Sequence, residues 1–305
     1  MSIMIQVFYF QRLKKTPFWY NLCMATTYAH WAFGRDCIEV MPKNLQIIVD
    51  AYRDYYDIGV HGPDIFFYDM PHSDTRKYGY RMHNIPNTLF FERCKKELYS
   101  HPEKGKMIAY IVGYLTHFVL DSQVHGYIER KIEVSGVNHT KIESQWDRHM
   151  MIVDSRIPNL VDRSESLHPN KENAKIISYF YDFDAATVLR VCRWQVAIIR
   201  ALNSITITKQ HFIQKIVRKL NFKDYADLFI GFEEIDKCMD SNIRLDKLRE
   251  KSIGLYKKLV VNLINYLDDE INEPLDDYFD RDLSPEPDYK KIPVYPFNKE
   301  IQYKV

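Results

Sequence analysis

Between residues 104 and 129 apolar side chains recur at three- and four-residue spacing: Ile108, Ile111, Val112, Leu115 and Val119. That period returns side chains to one face of an α-helix, whereas a strand alternates faces at every residue. The same spacing recurs in Val188, Val191, Val196 and Ile199, and again in Leu259, Leu263 and Leu267. Clean two-residue alternation bounded by turn pairs is scarce, and 305 residues contain only 10 glycines and 13 prolines. These patterns predict an all-α fold. Helices are expected at 27–36, 43–58, 86–99, 104–129, 139–151, 171–201, 207–219, 223–231 and 242–272, with 59–85 and 152–170 irregular.

The length allows one large helical domain or a domain with an appendage. An amino-terminal extension is read at 1–23, a helical domain at 24–272 and a tail at 273–305. Five of the 13 prolines lie in that tail, which is expected to wrap or dangle rather than pack as a helix. Hydrophobic residues make up 46% of the chain, enough to fill a sizeable core. Charge is nearly balanced, 42 basic against 41 acidic side chains, so no global basic field calls for nucleic acid. Cys23, Cys37, Cys94, Cys192 and Cys238 are scattered and form no CxxC pair, which argues against a disulfide framework or a thiolate zinc site. The first residues are apolar and then basic, the reverse of a secretory signal, and no run approaches ~20 uninterrupted apolar residues. A cytoplasmic, reducing compartment is the expectation.

The chemistry concentrates in His117-Phe-Val-Leu-Asp121-Ser-Gln-Val-His125. Residues i, i+4 and i+8 share one helix face, so two imidazoles and a carboxylate form a row. At ~1.5 Å rise per residue the ends of the row are about 12 Å apart, too far for His117 and His125 to share one ion held at ~2.0–2.2 Å. A metal-binding row of this kind must serve two ions, with Asp121 between them. His139 and Glu143 follow, again four apart at a helix start; with His125 they offer one ion two imidazoles and a carboxylate. A single such pair is more often a surface ion pair, but two rows 14 residues apart, one in an apolar helix, favour metal. Asp147, one turn past Glu143, suits either support of a ligand or a solvated charge. Asp64 in His61-Gly62-Pro63-Asp64 suits a turn cap as well as a ligand, and His83 and His30 are lone histidines. His72, His101, His149, His168 and His211 lack comparable context.

Together these residues resemble the zinc-dependent phospholipase C family, and especially its signal-less bacterial branch. The resemblance runs from about Thr26 to Met151 through AHWAFG around His30, GVHGPDIFFY around Asp64, MHN around His83, GYLTHFVLDSQVH, and NHTKIESQWDRHM. It implies a multi-helix bundle around two or three zinc ions. By position, Asp64, His83, His117 and Asp121 would hold one ion, His125, His139 and Glu143 a second, and His30 with bridging Asp121 a third. Secreted members complete the third site with a processed amino terminus. A start at Met24 with Met24 removed would bring the Ala25 amine close to His30, an expectation that amino-terminal sequencing of native protein tests. The gap from Asp121 to His125 also looks shorter than in secreted enzymes, so the second ion's geometry is expected to differ.

The implied activity is hydrolysis of phosphodiester bonds by metal-activated water, phospholipase C-like, with Asp64 both ligand and general base. A phospholipid is the expected partner, met by transient contact with a membrane surface. Phe66, Phe67, Tyr68 and Tyr80 could line a lipid approach, though packing is the commoner role for each. Alternatives are a non-catalytic zinc-binding helical protein or a single-strand nuclease of the same fold. No basic, aromatic-interleaved stretch near the ligands supports nucleic acid. An HD-type phosphohydrolase lacks its adjacent His-Asp pair here, and a di-iron carboxylate protein its Glu-x-x-His pairs. Residues 171–272, Trp194 included, read as scaffold.

Overall fold

The computed structural model describes residues 27–202, 207–219, 227, 229–271 and 273–305. The chain is all-α, with no strand among the described residues. The helices are α1 (Thr27–Val40), α2 (Lys43–Ala51), α3 (Arg53–Gly59), α4 (Ser73–His83), α5 (Asn87–Ser100), α6 (Lys104–Ser135), α7 (His139–Val153), α8 (Lys171–Ser178), α9 (Ala185–Leu202), α10 (Ile207–Lys219), α11 (Asp236–Leu267) and α12 (Phe297–Gln302). The extension at 1–23, Met24 and Ala25 lie outside the described residues, as does most of the expected helix 223–231.

The axis of the fold is α6, buried along most of its 32 residues and packed against α1, α3, α5 and α11. Its closest neighbour is α3. A Cβ at Gly113 would meet the Tyr56 carbonyl at 2.5 Å, and one at Gly59 the Tyr110 carbonyl at 2.5 Å. Only paired glycines let the two backbones touch. Helix α6 stops at Gly136, left-handed at φ 68°, whose N–H donates to the Ile132 carbonyl. Two residues later Asn138 opens α7, its side chain accepting from the Lys141 N–H at 2.8 Å. The reversal from α6 to α7 thus brings His139 and Glu143 back onto the end of the row on α6.

Three departures from the expected elements have physical causes. The helix expected at 43–58 breaks at Tyr52 (φ −127°, ψ 43°), whose ring fills the space a side chain at position 105 would take. The segment 59–85 is ordered as a 3₁₀ turn, Gly62–Tyr68, followed by α4. Polar composition hides α4's buried stripe of Thr75, Tyr78, Gly79, Met82 and His83. The span 171–201 is two helices, because Phe180 and Tyr181 turn inward into the core while the Asp184 carboxylate caps α9 by accepting from the Thr187 N–H at 2.8 Å. Trp194, read as scaffold, is 37% exposed on the outer face of α9.

The tail wraps the domain. Phe279 and Leu283 are buried, and the Asn87 N–H donates to the Arg281 carbonyl at 3.0 Å. Farther along, buried Glu300 pairs with buried Arg244, whose guanidinium lies between the rings of Tyr127 and Tyr303. The four described cysteines are free and buried.

Candidate metal centre

Eight side chains, all buried, converge from α1, the 3₁₀ turn, α4, α6 and α7. They form three groups whose ligand atoms lie within 4.8 Å of one another: His83, His117 and Asp121; His125, His139 and Glu143; and His30, Asp64 and His117. The first two groups follow the division expected from the row on α6. The third sets His30 with Asp64 and His117, while His30 Nε2 also lies 3.2 Å from Asp121 Oδ1. All eight predicted site residues therefore meet in one cluster.

Asp121 is its centre. Its Oδ2 is 3.2 Å from His117 Nε2 and 3.6 Å from His125 Nε2. Burial opposes its charge, but His117, His125 and His30 around it hold its carboxyl well below the usual carboxylate range. Burial alone would push His30 down, yet the Asp121 carboxylate beside it raises it to about 8. His83 is raised despite burial by the Asp64 carboxylate beside it. His117 goes the other way, down to about 3, because burial outweighs Asp121.

Each element aims its ligand for a local reason. The Asp147 carboxylate accepts from the Tyr28 N–H at 3.2 Å and the Ala29 N–H at 2.9 Å, fixing the first turn of α1 just ahead of His30. Burial raises Asp147 to about 6. Asp64 does not cap its turn: neither carboxylate oxygen accepts a hydrogen bond there, and Oδ1 faces His83 Nε2 at 2.8 Å. Gly62, left-handed at φ 50°, lets the turn press on His117; a Cβ there would meet His117 Cδ2 at 2.4 Å. Phe66, Phe67 and Tyr68 are core residues, and Phe67 tilts against Tyr80 and His83 at 4.7 and 5.1 Å. Phe66, Phe67 and Tyr68 are packing residues, and Tyr80 is partly buried against them.

The donor set fits zinc. Imidazole nitrogens and carboxylate oxygens are its common ligands, and three groups of three leave positions for water. Three histidines have their tautomers set for ligation. His83 Nδ1 bonds the Gly79 carbonyl at 2.8 Å, His125 Nδ1 the Leu283 carbonyl at 2.7 Å, and His139 Nδ1 the Glu129 carboxylate at 3.3 Å. With Nδ1 donating, each Nε2 turns a lone pair toward a carboxylate oxygen, at 2.8, 3.6 and 2.9 Å. Acceptor facing acceptor in a buried site calls for a cation between them. The orphaned atoms Asp64 Oδ1 and Oδ2, His83 Nε2, His117 Nε2 and Glu143 Oε2 point to the same demand.

Sequence reasoning did not single out Glu129, the Leu283 carbonyl or Arg163. Glu129 had a signal, because it extends the row His117, Asp121, His125 by one more turn. A backbone carbonyl on the tail and an arginine in an irregular segment had none. Buried His61 lies outside the three groups, held neutral down to about 3 by burial and by His30.

An all-helical chain carrying a buried histidine–carboxylate cluster that could hold metal belongs to a recognisable class. The family model of zinc dependent phospholipase C matches residues 29–193, more than half of the chain and all eight of these residues. The chain belongs to the zinc-dependent phospholipase C family. No curated protein and no solved structure matches it. No described helix is long and apolar enough to cross a membrane.

Proposed function

We propose that the chain hydrolyses phosphodiester bonds in the manner of a phospholipase C, releasing diacylglycerol and a phosphorylated head group from a phospholipid. The observation that carries this is the set of three buried ligand groups, two of them sharing His117 and all gathered around Asp121, inside the family match. His30, Asp64, His83, His117, Asp121, His125, His139 and Glu143 are its proposed zinc ligands. Bound zinc would supply an acidified water and charge neutralisation on the phosphoryl oxygens.

The rest belongs to the chain. Asp64, whose oxygens cap no turn, is the proposed general base, its carboxylate taking the proton of the attacking water. Gly79, Leu283 and Glu129 hold three imidazoles in the ligating tautomer. Free, buried cysteines suit the proposed cytoplasmic setting.

The test is a zinc-loaded preparation offered phosphatidylcholine in mixed micelles and, separately, single-stranded DNA. Zinc-dependent release of phosphorylated head group, lost in Asp64→Asn, supports the proposal. Cleavage of DNA alone points to the nuclease alternative, and full zinc with no hydrolysis to a non-catalytic metal protein.

A further inference from the structure

Arg163 sits in the irregular segment between α7 and α8, yet its side chain is only 4% exposed. Its ion-pair partner is Asp147, with Nη1 3.7 Å from Oδ2, beyond hydrogen-bond distance. Asp147 is already committed to the Tyr28 and Ala29 N–H groups. Nε and Nη2 of Arg163 are both buried and donate to no described group. Desolvating a guanidinium and leaving that edge without an acceptor is costly, so the edge calls for an acceptor that no described group supplies.

Its neighbourhood says which. Asp147 stands one turn beyond Glu143 on α7, and the N–H groups it holds immediately precede His30. Arg163, against Asp147, therefore stands next to the turns that carry Glu143 and His30. Its Nε and Nη2 hydrogens form a side-by-side fork that matches two oxygens of a phosphoryl group.

We propose that Arg163 is an anion-binding residue of this site, its Nε/Nη2 edge taking the non-bridging oxygens of the phosphoryl group to be cleaved. This rests on the phosphodiester reading above and adds a protein cation to it. Arg163 would orient the phosphoryl group, and its charge would offset the negative charge on the non-bridging oxygens.

The test is calorimetric titration of inorganic phosphate and of dimethyl phosphate into protein of measured zinc content. Arg163→Gln is expected to weaken both about ten-fold or more with zinc content unchanged. Arg163→Lys, keeping the charge but not the fork, is expected to fall between. Unchanged affinity in a folded Arg163→Gln, or wild-type affinity in Arg163→Lys should the first variant not fold, overturns the proposal. So does wild-type protein that binds no phosphate. Weakening for inorganic phosphate alone overturns the substrate role. Wild type that takes up no zinc defeats the proposed function instead. Phosphate titrated into that metal-free protein still reads Arg163: loss in Arg163→Gln supports it, and no difference overturns it.

Discussion

Gly62→Ala tests how tightly the 3₁₀ turn and the metal centre are built into one another. Two penalties apply. Gly62 holds φ at 50°, and keeping a residue with a Cβ left-handed costs roughly 1–2 kcal/mol. The new methyl would also lie 2.4 and 2.5 Å from Cδ2 and Cγ of His117, a fully buried ring with no room to retreat; overpacking of this kind costs about 1–3 kcal/mol. Gly136 supplies the control. It is left-handed at φ 68°, but a Cβ added there would have nothing within 4 Å, so Gly136→Ala carries the backbone penalty alone. Urea denaturation of the zinc-free proteins should therefore give a loss of about 1–2 kcal/mol for Gly136→Ala and about 2–5 kcal/mol for Gly62→Ala. Because His117 belongs to two of the three ligand groups, zinc content should also fall in Gly62→Ala and hold in Gly136→Ala. Equal destabilisation by the two substitutions, with full zinc in both, would refute the contact between turn and cluster.

Two further outcomes follow from the ligands' supports. Glu129→Ala removes the acceptor that orients His139 and should weaken zinc binding about ten-fold, read by competition with a chromophoric chelator; an unchanged affinity would show that Glu129 does not hold the ring. Asp147 is raised from 3.8 to about 6, so the folded state binds its proton more tightly than the unfolded chain. Its contribution is full below pH ~4 and is lost as pH rises through about 6, on the order of 3 kcal/mol in all. The stability of zinc-free wild type relative to Asp147→Asn should fall by that order between pH 4 and 7, and a constant difference would contradict the assignment.

The parts of this molecule that repeat with helical period were legible in the sequence, because period is a one-dimensional property. The row on α6 could even be divided between ions by rise per residue alone, and the groups around His117 and His125 follow that division. What could not be read depends on which segments meet. Asp64 suited a turn cap as well as a ligand until its oxygens were seen to face His83 across the cluster. Asp147 suited solvent as well as support until α1 was seen to rest its first N–H groups on it. The tail's composition left it free to wrap or dangle. What decides is tertiary: Leu283 gives its carbonyl to His125 and takes the His83 carbonyl with its own N–H, so the tail braces two ligands at once. A helix as polar as α4 hides its buried stripe, and Phe180 and Tyr181 continue an apolar pattern while breaking the helix that the pattern predicts.

The most direct test of the central claim is the metal content of purified protein, by elemental analysis, for wild type and Asp121→Ala. Two or three zinc ions per chain are expected, one for each occupied ligand group, falling sharply when the carboxylate shared by His30, His117 and His125 is removed. No bound metal and no uptake from added zinc, or a content indifferent to Asp121, would contradict the metal centre and the hydrolase built upon it.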